Sequence, residues 1–399
     1  MNCRICNSTK LNLVFDLGLQ PWGNNFLTKE QIGKEKFYPL ELLFCEECNL
    51  SQLSYTVKKE VMFSNHTYLS GMTSSLSKHF KDLSIYIKKE FNKENIKKKI
   101  LDIGSNDGTC LKHFKDLGWE ILGVESSKTI SDIANKNNIK TLNKFYNFEL
   151  AKEIDQKFDF INASGIFFHL EELHSVTEGI KLNLESKGVF IVQFLYMDQI
   201  MKNVAFDQIY HEHLVYYNLK TLKNLLDIHN LEIFDAFLSD IHGGQMIAFI
   251  SHKNTFEKSQ RLLDLLNEEK KKKSNDINSY LKFADQAKKL KEKNLNFIEG
   301  ALKERKKIFG LGAPVKGNTL INYFGITKDM VSKLLEINPL RKNLFAPGSH
   351  IPIIMENEEY EIPDIYYVLA WNFKEEILKK YKKLIDKGID FYFPIEVNN

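Results

Sequence analysis

The chain has 399 residues, 43% of them hydrophobic, enough for two or three domains with cores of their own at roughly 100–200 residues per domain. Lys and Arg number 55 against 52 Asp and Glu, a formal charge of +3, so no whole-molecule field gathers nucleic acid and no nucleic-acid partner is expected. No window approaches the ~20 apolar residues that cross a bilayer, and the opening MNCRICNSTK carries no apolar run, so the expectation is a cytoplasmic protein with no membrane partner.

Residues 1–60 hold two cysteine pairs around short strand-like runs, LNLVFDL and YPLELLF, with little core between them. Cys3-x-x-Cys6 and Cys45-x-x-Cys48 are two knuckles, each able to present two sulfurs to one metal from a tight turn. Four thiolates leave no open position for water or substrate, which predicts structural Zn2+ in a reducing compartment and not a catalytic metal. Ser74 to Lys99 reads as a basic helix.

KKILDIGSNDG then switches to a buried strand and a Gly/Asp/Asn turn. Strand and helix text alternates from there through WEILGVE, SKTISDIANKNN, FDFINAS, LEELHSVTEGIKLNLES and GVFIVQF, the pattern of a doubly wound parallel α/β sheet. The first loop is not GxGxxG. Asp102 and Asp107 would repel a pyrophosphate but suit the net cationic, amino-acid-bearing ligand S-adenosylmethionine, with Gly104 giving close backbone approach and the loop amides, that of Asn106 among them, offering donors. Glu125, ending the next strand, is placed to accept ribose hydroxyls; a nicotinamide cofactor would use the same glutamate and is the rival reading. Cys110 reads as a small buried residue.

Tyr210-His211-Glu212-His213 sets four polar groups in consecutive positions, a costly arrangement for a core. An imidazole is a general base near neutrality, a carboxylate holds its charge state, and a phenol donates to a developing oxyanion. The helical HExxH zinc spacing is missing, which argues against a second metal. His169 follows the strand FDFINAS, where α/β enzymes place ligand-facing residues, and is a further candidate.

The lower-complexity stretch NEEKKKKSNDINS is followed by a helical segment whose Leu281, Ala284, Leu290, Leu295, Ile298 and Leu302 recur at helical spacing, with the lysine run read as a solvated helix face. After residue 300 the strand, Gly-loop, helix theme returns in KKIFGLGAPVKGNTLINYFG, and Gly310-x-Gly312-x-x-x-Lys316-Gly317-Asn318 is either a pyrophosphate cradle or a plain tight turn.

Together these segments resemble the S-adenosylmethionine-dependent sugar C-methyltransferases that act on nucleotide-linked 4-keto-6-deoxy sugars, of the tylosin and tetronitrose pathway type. The likeness runs nearly end to end: the paired knuckles, Leu17-Gly18-x-Gln20-Pro21-x-x-Asn24, Tyr68-x-Ser70 leading to His79-Phe80, and Asp102-Ile103-Gly104-Ser105-Asn106-Asp107-Gly108-Thr109. It continues in Phe206-Asp207-x-Ile209-Tyr210-His211-Glu212-His213, His242-Gly243-Gly244, Gly312-Ala313-Pro314-x-Lys316-Gly317-Asn318-Thr319, Pro347-Gly348-x-His350-Ile351-Pro352 and Ala370-Trp371-Asn372.

The resemblance implies an α/β protein in which residues 1–70 form a zinc module, 71–255 a class I methyltransferase domain, 256–300 a helical connector and 301–399 a Rossmann-like substrate-binding domain. It implies His213 as the base that removes a proton α to the C-4' ketone so that C-3' is methylated, with Tyr210 and Glu212 orienting or polarising around it, and Tyr68 and His169 at the sugar. It implies Lys316, Asn318 and His350 on a dTDP-, GDP- or CDP-linked sugar. Two positions depart from the family pattern: Gln193 stands where it has an acidic residue, and His66 where it often has tyrosine. An O-methyltransferase, a nicotinamide oxidoreductase and a non-catalytic zinc scaffold are the competing expectations.

Overall fold

The structure, a computed structural model, describes residues 1–64, 69–72, 74–92, 96–239, 241–358 and 360–396. Tyr68 and His66 lie outside the described residues. Among the described residues no helix is long and apolar enough to cross a membrane.

The chain opens with β1 (Leu11–Pro21), β2 (Phe37–Cys45) and β3 (Ser51–Leu53), paired antiparallel in that order. The helix Ser74–Phe91 leads into β4 (Lys99–Ile103), β5 (Glu120–Glu125), β6 (Thr141–Asn143), β7 (Phe158–Ser164) and β8 (Leu184–Leu195), all parallel in the order β6-β5-β4-β7-β8. Strand β9 (Val215–Tyr216) leaves this unit and joins the first sheet beside β3. Then β10 (Leu231–Ser239) and β11 (Gln245–His252) complete the central sheet, β11 antiparallel to β8. The last sheet, β12 (Ile308–Leu311), β13 (Leu334–Glu336), β14 (Ile353–Met355), β15 (Ile365–Val368) and β16 (Asp390–Tyr392), is parallel throughout in the order β14-β13-β12-β15-β16.

Near-continuous apolar strands follow from the helices on both faces of the central sheet, and the period of two decides which face each side chain serves. Leu101 and Ile103 of β4, and Phe190, Val192 and Phe194 of β8, join a core continuous with the first and last sheets. Their neighbours Ile100, Val189 and Ile191 pack on the opposite face against Leu76, Phe80, Leu83 and Ile87 of the helix Ser74–Phe91. The long helix Ile277–Lys303 packs Phe283 edge-on against Phe15 of β1 and Tyr280 against Phe44 of β2. Ala284 and Ile298 are buried as their spacing predicts, whereas Leu281 is exposed, because the buried stripe runs through Tyr280 and Phe283 instead.

Candidate active site

Four sulfurs converge at the N-terminus. Cys3, Cys6, Cys45 and Cys48 have their Sγ atoms within 4.8 Å of one another and form no disulfide, with Cys3–Cys48 at 3.4 Å and Cys6–Cys45 at 3.5 Å. A tetrahedral Zn2+ with Zn–S of about 2.3 Å has S–S edges of about 3.8 Å, so the donors fit the ion in both chemistry and spacing.

The loop after β4 lies where β4, β5 and β7 end. Gly104 sits at φ +71° with the Ile166 side chain so close that a Cβ would meet it at 2.6 Å, which restricts the position to glycine. Asp102 is buried, accepts from Asn162 Nδ2 at 2.7 Å, and is pushed up to about 7 by burial. Glu125 receives the Asn106 amide at 3.1 Å and the Ser127 amide at 2.7 Å, so its carboxylate is fixed by backbone from both sides. Asp107 is spent on the loop itself: it accepts from the Thr109 amide and hydroxyl and, at 2.9 Å, from the Gly71 amide, while Asn106 Oδ1 takes the Ser70 amide at 2.8 Å. Asp102, Gly104, Ser105, Asn106, Asn162 and Ser164 line one small polar pocket, in which Ser105 Oγ is buried with no protein partner among the described residues. A polar pocket with one carboxyl group, Asp102, and an unsatisfied hydroxyl suits an amino-bearing ligand.

The histidine segment follows a short 3-10 turn, Phe206–Gln208, and its two imidazoles part company. His211 donates Nε2–H to the Pro39 carbonyl at 3.3 Å and packs edge-on against Tyr38; burial pushes it down to about 4. His213 donates Nδ1–H to the Gln208 carbonyl at 2.7 Å. A carbonyl only accepts, so this bond fixes the tautomer and leaves the lone pair on Nε2. Burial pushes His213 down to about 3, opposed by that same bond, which keeps the ring neutral at physiological pH.

Around His213 the rings form a layered wall. Tyr210 lies 3.8 Å away centroid to centroid, His169 stacks at 5.2 Å and 24°, Phe63 stacks on His169 at 5.2 Å, and Phe168 meets His213 edge-on at 4.7 Å. The Phe168 carbonyl accepts the Leu214 amide at 2.8 Å, joining the β7 loop to the histidine segment. Glu212 is buried and receives Trp22 Nε1–H at 2.8 Å. Neither Phe63, Trp22 nor the Gln208 carbonyl stands out in the sequence: stacking between residues a hundred positions apart leaves no local pattern, although Trp22 follows directly on the Gln20-Pro21 pair.

The C-terminal candidates are wired into the same region or away from it. Lys316 Nζ donates to Asn372 Oδ1 at 2.7 Å and lies 3.7 Å from the Trp371 ring centroid, while Trp371 Nε1–H donates to Asp207 Oδ2 at 2.6 Å. Burial lowers Lys316 to about 8, with Asp207 pulling the other way. Asn318 Nδ2 donates to the Gly23 carbonyl at 2.7 Å. His350 pairs with Glu35 at 2.5 Å and lines a separate cavity of about 490 Å³, with Ile32, Lys328 and Phe345, that no residue of the His213 wall enters.

Three family models match the chain in succession: a zinc binding domain over residues 3–63, a methyltransferase domain over 76–236 and a C-methyltransferase C-terminal domain over 240–396. The chain is 27% identical over 399 residues to C-methyltransferase NovU of Streptomyces niveus, covering 98% of this chain and 95% of that one. Among solved structures it is similar to the magnesium protoporphyrin IX methyltransferase of Synechocystis PCC 6803 with bound S-adenosylmethionine, at TM-score 0.35 and 9% identity over 44% of this chain and 79% of that chain. It is also similar to the plantazolicin methyltransferase BpumL, at TM-score 0.33 and 20% identity over 49% and 76%.

The fold, the acid-lined loop and the matched domains define an S-adenosylmethionine-dependent methyltransferase. Residues 240–396 make it more specific, because they match the C-methyltransferase C-terminal domain, and nearly the whole chain is similar to a C-methyltransferase. S-adenosylmethionine is its cofactor, and the four cysteines hold structural zinc.

Proposed function

We propose that the chain methylates C-3' of a nucleoside-diphosphate 4-keto-6-deoxy sugar, with dTDP, GDP or CDP as the nucleotide, in a reducing cytoplasm. The observation that carries this is the Nδ1–H bond from His213 to the Gln208 carbonyl, which holds a neutral, lone-pair-bearing Nε2 in an aromatic wall. A proton α to a ketone is acidic enough for such a base, and the half-buried Tyr210 hydroxyl supplies a donor for the enolate oxygen. The imidazolium formed then faces the enolate as an ion pair in a poorly solvated site, which offsets the cost of charging a buried ring. Bound S-adenosylmethionine supplies an electrophilic methyl group.

Asp102, Gly104, Asn106, Asp107 and Glu125 are the cofactor set in this reading, Asp107 acting by holding the loop closed on the Ser70–Gly71 segment. His169 walls the sugar, and Lys316, at the start of the helix Val315–Phe324, meets the pyrophosphate, where helix amides and a cation favour anions. Residues 1–70, 71–255, 256–300 and 301–399 are accordingly zinc module, methyltransferase domain, connector and substrate domain. Asn318 and His350 act through the N-terminal segment they hold.

The test is mass spectrometry of products from purified enzyme, S-adenosylmethionine and a panel of dTDP-, GDP- and CDP-linked 4-keto-6-deoxy sugars in deuterated buffer. A gain of roughly 14 Da, CH3 for H, with cofactor-independent deuterium uptake at the α carbon supports the reading. A gain without any α-exchange points to a hydroxyl acceptor and sinks it.

A further inference from the structure

Trp22 is the first residue after β1, and the segment it opens runs from the first sheet onto the C-terminal unit. Its indole donates to Glu212 at 2.8 Å. The next residue is pinned: the Gly23 carbonyl accepts from buried Asn318 at 2.7 Å, and a Cβ there would meet Val315 at 3.2 Å. Leu27, itself buried, then exchanges both backbone hydrogen bonds with Phe345, at 3.0 and 2.8 Å, and Arg341 covers the Phe26 ring at 4.4 Å. Further along, Glu35 is held by His350 and by the Gly348 amide. A strap fixed at these points gives the indole little freedom to move, while the carboxylate it holds stands directly before His213 in the chain.

We propose that Trp22 is a positioning residue: its N–H fixes the rotamer of Glu212 next to the base, and the strap makes that geometry depend on the C-terminal unit being docked. The role rests on the reaction proposed above, but the pairing does not. An N–H donated to a carboxylate is a strong, directional bond, and a misplacement of about 1 Å near reacting groups costs up to 10²-fold in rate. The same role is open neither to Trp119, which packs against Phe114 and Phe160, nor to Trp371, whose N–H is taken by Asp207.

The pairing is read by NMR on the full chain, whose three tryptophans give three indole N–H resonances. Trp22→Phe identifies one by its loss, and in Glu212→Gln that resonance should move upfield while the other two stay. A Trp22 resonance blind to Glu212→Gln overturns the pairing, whatever the substrate proves to be. The role is read by kinetics: Trp22→Phe should lower kcat about ten-fold or more and slow α-proton exchange in proportion, with KM for the sugar, cofactor Kd and Tm near the parent values. Unchanged kcat overturns the role, and so does a loss carried wholly by KM. Should Trp22→Phe fold poorly, Trp22→His, which keeps a ring N–H, replaces it, and retention of more than a third of kcat is then the expected result.

Discussion

Ser51 and Tyr216 face each other across antiparallel β3 and β9, and the Ser51 hydroxyl donates to the Tyr216 carbonyl at 3.3 Å. Cys48 lies three residues before one partner and His213 three residues before the other, so the zinc knuckle and the histidine segment are anchored to one ladder. His174 adds a second tie, donating Nε2–H to the Ile5 carbonyl between Cys3 and Cys6 at 3.0 Å.

Metal loss should therefore reach the active site. Cys45→Ser, or prolonged chelation, is expected to lower the unfolding midpoint and to abolish turnover together, because binding of a structural metal is folding free energy in small metal modules. Metal analysis beside circular dichroism and activity checks it; a well-folded, metal-free, active enzyme would count against a structural role.

His213→Asn should reduce turnover by at least 10²-fold and leave cofactor affinity within a few-fold, since the substitution spares the Asp102 pocket. Isothermal titration with S-adenosylmethionine beside a turnover assay separates the two. Full activity would remove His213 from the base role.

Lys316→Met should raise KM for the nucleotide sugar about ten-fold with a smaller effect on kcat, because a cation at a helix start binds ground and transition states alike. Binding of the free nucleoside diphosphate should weaken by the same factor. An unchanged nucleotide affinity would mean that Lys316 serves only to join Trp371 to Asn372.

Acid should destabilise the fold through its buried imidazoles. His211 and His213, lowered to about 4 and about 3, bind fewer protons folded than unfolded, so their contribution is complete above the unfolded value of about 6.5 and is lost as pH falls toward the folded ones, about 2 kcal/mol for each ring at pH 5. Asp102, raised to about 7, runs the other way: folding keeps its proton on, and stability falls as pH rises from about 3.8 toward 7. Urea titrations at pH 7 and 5 should show a net loss on acidification, and Asp102→Asn should steepen it. Equal stability of parent and Asp102→Asn at both values would refute the opposing contribution.

Much of this was legible from composition and spacing. The knuckles, the Asp102 loop and the apolar runs of β4, β7 and β8 are local patterns with local physical causes. The histidine segment could be marked as costly, but not how each ring is held: His211 is engaged by the Pro39 and Tyr38 backbone and His213 by the Gln208 carbonyl, and those partners come from different elements. His350 reads as a substrate residue from its Pro347-Gly348-x-His350 setting, yet its partner is Glu35, more than three hundred positions earlier. Tertiary partners of that separation leave no periodic trace, which is also why β9 could not be assigned to the first sheet.

The reciprocal Leu27–Phe345 bridge has a bearing on biosynthesis. A nascent chain emerges N-terminus first, and at about 5–20 residues per second the apolar Leu27 must wait roughly 15 to 60 s for the segment that covers it. Until then the strap stays bare, so the folding of this protein includes a long-range closure in which an early part of the polypeptide is covered by a late one.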